Sequence, residues 1–120
     1  MNLYNKMNAL GTKLRLCSSS PLTGWMRNGY CTIDELDRGF HVVCARVTND
    51  FLKFQKSRGN DLITPRNNFP GLKEGNFWCL CATRWLEAYH EGVAPPVLLE
   101  ATNIEVLKII PLEILMKFKI

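Results

Sequence analysis

The residues richest in chemistry lie in Trp78 to Trp85, WCLCATRW, where Cys79 and Cys81 stand one residue apart between two tryptophans. Thiolates are nucleophiles and metal ligands, so their geometry decides what they can do. On a strand the two would share a face, about 6.6 to 7 Å apart. On a helix they would point about 200° apart. Cys81 precedes Thr83, an expected helix N-cap, and Arg84 follows. A helix N-terminus and a nearby cation both favour a thiolate. A catalytic thiol also needs a base. The chain has two histidines, His41 and His90. His90 falls near the end of a helix expected over 84–91, about 10 Å from its start. His41 is therefore the base for a Cys81 nucleophile. The competing reading is packing, with Phe77, Cys79 and Cys81 on one buried strand face and Trp78 and Leu80 on the other. Cys79 suits that role better than Cys81. A Cys79–Cys81 disulfide would sit at the upper edge of bridging distance.

A metal module is another reading of Cys17, Cys31, Cys44, Cys79 and Cys81, with His41 as a further ligand. Structural zinc sites usually draw on C-x2-4-C pairs, and no spacing here matches. On a regular strand His41 and Cys44 would lie on opposite faces unless a bulge intervened. No residue is assigned as a metal ligand and no cofactor is specified. Five cysteines are an odd number, so a complete intrachain disulfide set is excluded, and in a reducing compartment free thiols packed as small hydrophobes are expected.

The third constellation is anionic recognition. Arg27, Arg38, Arg58 and Arg66 stand beside turns, Arg84 follows the cysteine pair, and Asn60-Asp61 opens a long loop. Loop arginines suit bidentate binding of carboxylate or phosphate, whereas Asn60 and Asp61 can equally cap the loop's own backbone. Glycines occur singly, so phosphate-loop and dinucleotide fingerprints are absent, as are S-x-x-K and G-x-S-x-G.

The rest of the chain bounds these options. At 120 residues, 47% hydrophobic and 22% charged, it suits one domain with a real core. The net charge of +4 matches that of the 38–66 segment alone. Such a segment could attract an anion, but without interleaved aromatics and glycines it disfavours nucleic acid. No apolar run is long enough for a membrane span and the N-terminus does not read as a secretory signal, so a cytoplasmic location is expected. Oligomeric state is not legible.

The positioning elements follow from local patterns. Residues 1–38 are turn-rich. FHVVCARV at 40–47 reads as a strand, and Thr48 caps a helix over 49–58 that stops at Gly59. The span 59–76 is a long loop without regular elements, of the kind that is usually functional or mobile. A strand over 77–81 leads into a helix capped by Thr83. A strand over 97–101, a capping box from Thr102 to Glu105, a brief strand at 108–110 and a last helix after Pro111 complete the order. This alternation favours parallel neighbours. The expected class is α+β: a small mixed sheet with packed helices and an irregular, turn-rich N-terminal third. Residues 1–7 read as an N-terminal extension and 8–120 as a single globular domain.

Several blocks in order carry a resemblance. They are Asn8-Ala9-Leu10-Gly11, Cys17-Ser18, Thr23-Gly24-Trp25 with Arg27, Gly29 and Cys31, then Asp37, Gly39, His41 and Cys44. Gly59-Asn60-Asp61, Thr64-Pro65, FPGL at 69–72, Trp78 to Cys81 with Arg84-Trp85, and Gly92 to Pro95 follow. The chain resembles the mainly bacterial family known as domain of unknown function 2237 over about residues 8–116. The resemblance implies a stand-alone domain and brings no catalytic residues. Glu74 and Asn103 depart from the pattern, which often has proline and histidine there.

The first functional reading is thus a protein binding a small anionic ligand between the N-terminal region, the 59–76 loop and the strand end at Cys81. The second is a thiol-dependent enzyme or redox protein using Cys81 with His41 or Cys79. The third is a cysteine-rich metal-binding module.

Overall fold

The computed structural model describes residues 6–120, and most of the N-terminal extension, residues 1–5, lies outside them. Two antiparallel strands hold the centre: β1, His41–Arg46, and β2, Phe77–Cys81. The helices are α1, Asn49–Ser57, α2, Ala82–His90, and α3, Leu112–Met116, with 3-10 turns at Leu99–Ala101 and Ile104–Lys108. The class is α+β, with the strands antiparallel rather than joined by parallel crossovers.

Local chemistry explains the elements. The β-branched run of β1 favours a half-buried pleated surface. Thr48 ends it and caps α1, its Oγ1 accepting from Phe51 N–H at 3.2 Å. Asp50 and Lys56 sit at the helix ends that suit their charges. Gly59, at φ +83°, closes the helix in the left-handed region that glycine tolerates. Helix α1 buries Phe51, Leu52 and Gln55. The Gln55 amide donates to Arg84 O and Glu87 Oε1, both at 3.3 Å, and accepts from Asn60 Nδ2 at 2.8 Å. One buried side chain thus ties α1 to α2 and to the start of the long loop.

That loop, 59–76, has no helix or strand, yet its backbone is bonded back on itself. Asp61 Oδ1 accepts from Ile63 and Thr64 N–H, Leu72 N–H donates to Leu62 O, and Arg66 and Phe69 form a two-residue bridge. Gly75 N–H donates to Val47 O, and Glu74 accepts from Asn49 N–H, which fixes the loop's end to the start of α1.

Downstream, three expectations need correction. The 97–101 segment is not a strand. Val97 alone bridges Ala45 in antiparallel and Lys119 in parallel sense, and the chain then turns into 3-10 geometry. Leu98 and Asn103 N–H still donate to β1 carbonyls, so this segment covers the strand's open edge. The brief strand at 108–110 is likewise absent, because the 3-10 turn runs to Lys108. The cap of that turn is Asn103, whose Oδ1 accepts from Glu105 N–H at 2.9 Å. Thr102 instead accepts from Cys44 N–H and donates to Leu98 O.

The sheet separates two interiors. Trp78 and Leu80 join Val43, Ala45, Phe51, Trp85, Val97 and Leu115 in the main apolar core. The indole N–H of Trp85 is satisfied by Pro95 O at 3.0 Å. On the other face Cys44 and Cys79, direct partners across the ladder, gather with Cys17, Cys31 and Ala101. Here the free-thiol expectation fails: Cys17 is bonded to Cys44 and Cys31 to Cys79, which leaves Cys81 as the free cysteine. Among the described residues the N-terminal third gives only Ala9 to the buried main core, and these bonds fasten it to the sheet. Asn8 adds a polar anchor, its amide donating to Thr12 Oγ1, Lys13 O and Glu100 O while its carbonyl accepts from Leu10 and Thr12 N–H.

Candidate functional site

The site begins with an irregularity in the ladder. Cys44 pairs with Cys79 and Val43 with Leu80, but His41 pairs with Cys81, so Val42 is an extra residue on β1. Strand side chains alternate faces, so one inserted residue moves everything beyond it to the other face. Without the bulge His41 would lie with Val43 and Ala45. With it, His41 joins the cysteine face and stands opposite Cys81.

The turn before β1 holds the histidine. Asp37, 2% exposed, places Oδ1 2.6 Å from His41 Nδ1 while Oδ2 accepts from His41 N–H at 2.9 Å. With Nδ1 committed to the carboxylate, Nε2 is the nitrogen left to act as a base. Trp25 stacks on the ring at 5.8 Å between centroids. Phe40 adopts φ 50°, in the left-handed region, a strain that costs about 1–3 kcal/mol for a bulky residue. Its carbonyl accepts from Val42 and Ala82 N–H, which pins the turn to the start of α2.

The other half comes from the junction of β2 and α2. The expected N-cap, Thr83, lies inside the helix, and Cys81 itself occupies the cap position without a capping side-chain bond. Its Sγ is 3.1 Å from Thr83 Oγ1. Gly39 explains how thiol and imidazole come together. A Cβ there would lie 2.9 Å from His41 Cε1 and 3.2 Å from Cys81 Sγ, so both reach into the space a side chain would fill. His90, at the far end of α2, contacts Tyr89 instead.

Cys81 and His41 open on a cleft of about 320 Å³ whose lining includes Trp25, Arg27, Asn60, Arg66, Phe69 and Arg84. Four of the expected anion-binding residues are thus gathered: Arg27, Asn60, Arg66 and Arg84. Aromatic faces support two of the guanidiniums, Arg27 over Trp78 at 5.1 Å and Arg66 over Phe69 at 4.9 Å. Arg84 is anchored by Arg58 O at 3.2 Å and Glu87 Oε1 at 3.4 Å. Among the described residues no carboxylate lines the cleft.

Three expected residues lie outside it. Arg38 faces a separate surface depression with Asp34, Glu35 and Glu105. Arg58 stacks on Phe54 and pairs with Glu91 at 3.6 Å. Asp61 caps its own loop. The Thr64 side chain, then the Thr64 and Ile63 N–H groups, hold its carboxyl near a pKa of about 2. Sequence reasoning also missed two residues. Asp37 entered only within a turn-rich stretch and among the blocks that carry the resemblance, though its i to i+4 spacing from His41 was available. Trp25 carried no signal of its own.

The molecule is thus a small α+β domain in which a thiol and a carboxylate-bound imidazole border an arginine-lined cleft. The chain belongs to the family described as an uncharacterized protein conserved in bacteria, domain of unknown function 2237, whose model matches residues 7–119. Comparison with curated proteins found no match. Among the described residues no helix is long and apolar enough to cross a membrane.

Proposed function

We propose that this protein is a thiol-dependent enzyme acting on a small anionic substrate, with Cys81 as nucleophile, His41 as base and Asp37 as the group that orients the base. The observation that carries the reading is the bulge that sets His41 opposite Cys81 while Asp37 holds Nδ1. In such an arrangement the imidazole takes the thiol proton, the sulfur bonds to an electrophilic centre, and the imidazolium returns the proton to the leaving group. Arg27, Arg66 and Arg84 would hold the substrate's carboxylate or phosphate. Their convergence also supports a second reading, an anion-binding protein in which Cys81 does no chemistry.

Paired alkylating agents test both halves. Iodoacetate carries the anion that the arginines should attract, and iodoacetamide does not. Cys81 is expected to react faster with iodoacetate. Arg66→Ala should remove that preference, and His41→Ala should slow both reagents. A preference untouched by Arg66→Ala would sink the anion-binding role. Alkylation by both reagents at unchanged rate in His41→Ala would leave Cys81 without a base and the enzyme reading without support.

A further inference from the structure

Cys81 is the free thiol of the cleft, and the other four cysteines, of which Cys79 also borders the cleft, form a buried cluster beneath it. Cys17, Cys31 and Cys44 place their sulfurs within 4.8 Å of one another, and the Cys79 sulfur is bonded to that of Cys31. These residues come from four places in the chain: two irregular segments of the N-terminal third, β1 and β2. All four are buried.

We infer that this cluster has two states, the disulfide pair seen here and a reduced state that holds one zinc ion on Cys17, Cys31, Cys44 and Cys79. Zinc binds four thiolates at about 2.3 Å in a tetrahedron, which sets sulfurs about 3.8 Å apart. Once both bonds are cut, the bonded sulfurs separate toward that distance, and the Cys31 sulfur, already within 4.8 Å of those of Cys17 and Cys44, closes on them by at most about 1 Å. The bonded pairs have Cα atoms 5.7 and 5.4 Å apart, and Cys44 and Cys79 are direct partners across the β1–β2 ladder, so the four side chains start from one small volume. Ligand spacing in sequence hides the site, since no two of these cysteines form a C-x2-4-C knuckle.

The chemistry balances with a dithiol reductant. Each disulfide takes two electrons and two protons from one dithiol, which leaves as its own disulfide. Four thiols then bind Zn²⁺ and release up to four protons. In either state the N-terminal third stays fastened to the sheet, by two disulfides when oxidised and by one shared ion when reduced. The inference does not depend on the chemistry of the cleft.

The test uses the full chain, reduced without oxygen by a phosphine that is then removed, and titrated with Co²⁺. One equivalent should bind with strong thiolate-to-metal charge-transfer bands and tetrahedral visible bands, and one equivalent of Zn²⁺ should displace it. The oxidised protein should bind none. Cys81→Ser should keep the full signal, while Cys31→Ser should weaken Co²⁺ binding about a hundredfold or more. If reduced Cys31→Ser fails to fold, Cys17→Ser and Cys44→Ser offer the same comparison. Substoichiometric binding by the reduced chain, loss of the signal in Cys81→Ser, or equal affinity in urea-unfolded protein would each overturn the site.

Discussion

His41 faces Cys81 across the β1–β2 ladder because Val42 is an extra residue on one side of it. The extra residue keeps its backbone bonds, its N–H donating to Phe40 O at 2.8 Å and its carbonyl accepting from Asn103 N–H at 3.0 Å. The bulge is thus held by the turn on one side and by Asn103 on the other. Asn103 is fully buried in that role.

The thiol inventory gives the first prediction. Unreduced protein treated with an aromatic disulfide reagent should release one equivalent of thiolate per chain, and Cys81→Ser should release none. Two or more equivalents would show that the pairing of Cys17 with Cys44 or of Cys31 with Cys79 does not persist in solution.

Asp37→Asn preserves shape and changes the proton inventory. An amide nitrogen at the Oδ1 position donates to Nδ1, which moves the imidazole proton to Nε2 and removes the base. Proton transfer by a positioned base contributes on the order of a hundredfold or more. Alkylation of Cys81 near neutral pH should fall toward the rate of His41→Ala, with little change in far-ultraviolet circular dichroism. An unchanged rate would mean that Asp37 serves the turn and not the thiol.

Gly39→Ala should separate reactivity from fold. The added methyl lies 2.9 Å from His41 Cε1, closer than real contacts allow, and 3.2 Å from Cys81 Sγ, so the ring must shift and the His41–Cys81 arrangement is disturbed. Overpacking of this kind costs about 1–3 kcal/mol. Urea unfolding should show a loss in that range while iodoacetate reactivity drops sharply. Wild-type reactivity would place the productive ring position elsewhere.

Asp61 makes the long loop acid-sensitive. Its carboxyl is lowered from an ordinary 3.8 to about 2, first by the Thr64 side chain. A depressed folded-state pKa contributes stability that is fully present above the unfolded value and lost as pH falls through the folded one. The difference in melting temperature between wild type and Asp61→Asn should be constant above about pH 5. It should then close between pH 3.8 and about 2. A gap that persists at the acid end would assign the effect to shape and not to charge.

Thr23→Val tests the attachment of the N-terminal third. Thr23 Oγ1 accepts from the buried N–H of Cys79 at 2.8 Å. Valine fills the same volume and leaves that donor unsatisfied, at a cost of about 1–3 kcal/mol by chemical denaturation. No loss would mean that another acceptor reaches Cys79.

Much of this was legible because it depends on short-range rules. The β-branched run of β1, the Thr48 cap and the Gly59 stop act within a few residues, and α1 follows them. The two faces of β2 follow from alternation alone. The bulge could not be read, since inserting one residue depends on which strand pairs with which. Cysteine pairing was hidden for the same reason: bonds between residues 27 and 48 positions apart are set by the folded sheet. Among the arginines, proximity to a turn did not distinguish Arg66, held over Phe69 in the cleft, from Arg58, drawn away by Phe54 and Glu91.

The connectivity of the oxidised chain has a consequence for proteolysis. The bonds link 17 to 44 and 31 to 79, so the two loops overlap in sequence. Any single cut between residues 18 and 78 falls inside at least one of them, the whole 59–76 segment included. A nicked molecule therefore stays one covalent body until it is reduced. Digestion in the long loop would pass unnoticed on a denaturing gel without reductant and appear as two fragments once reductant is added.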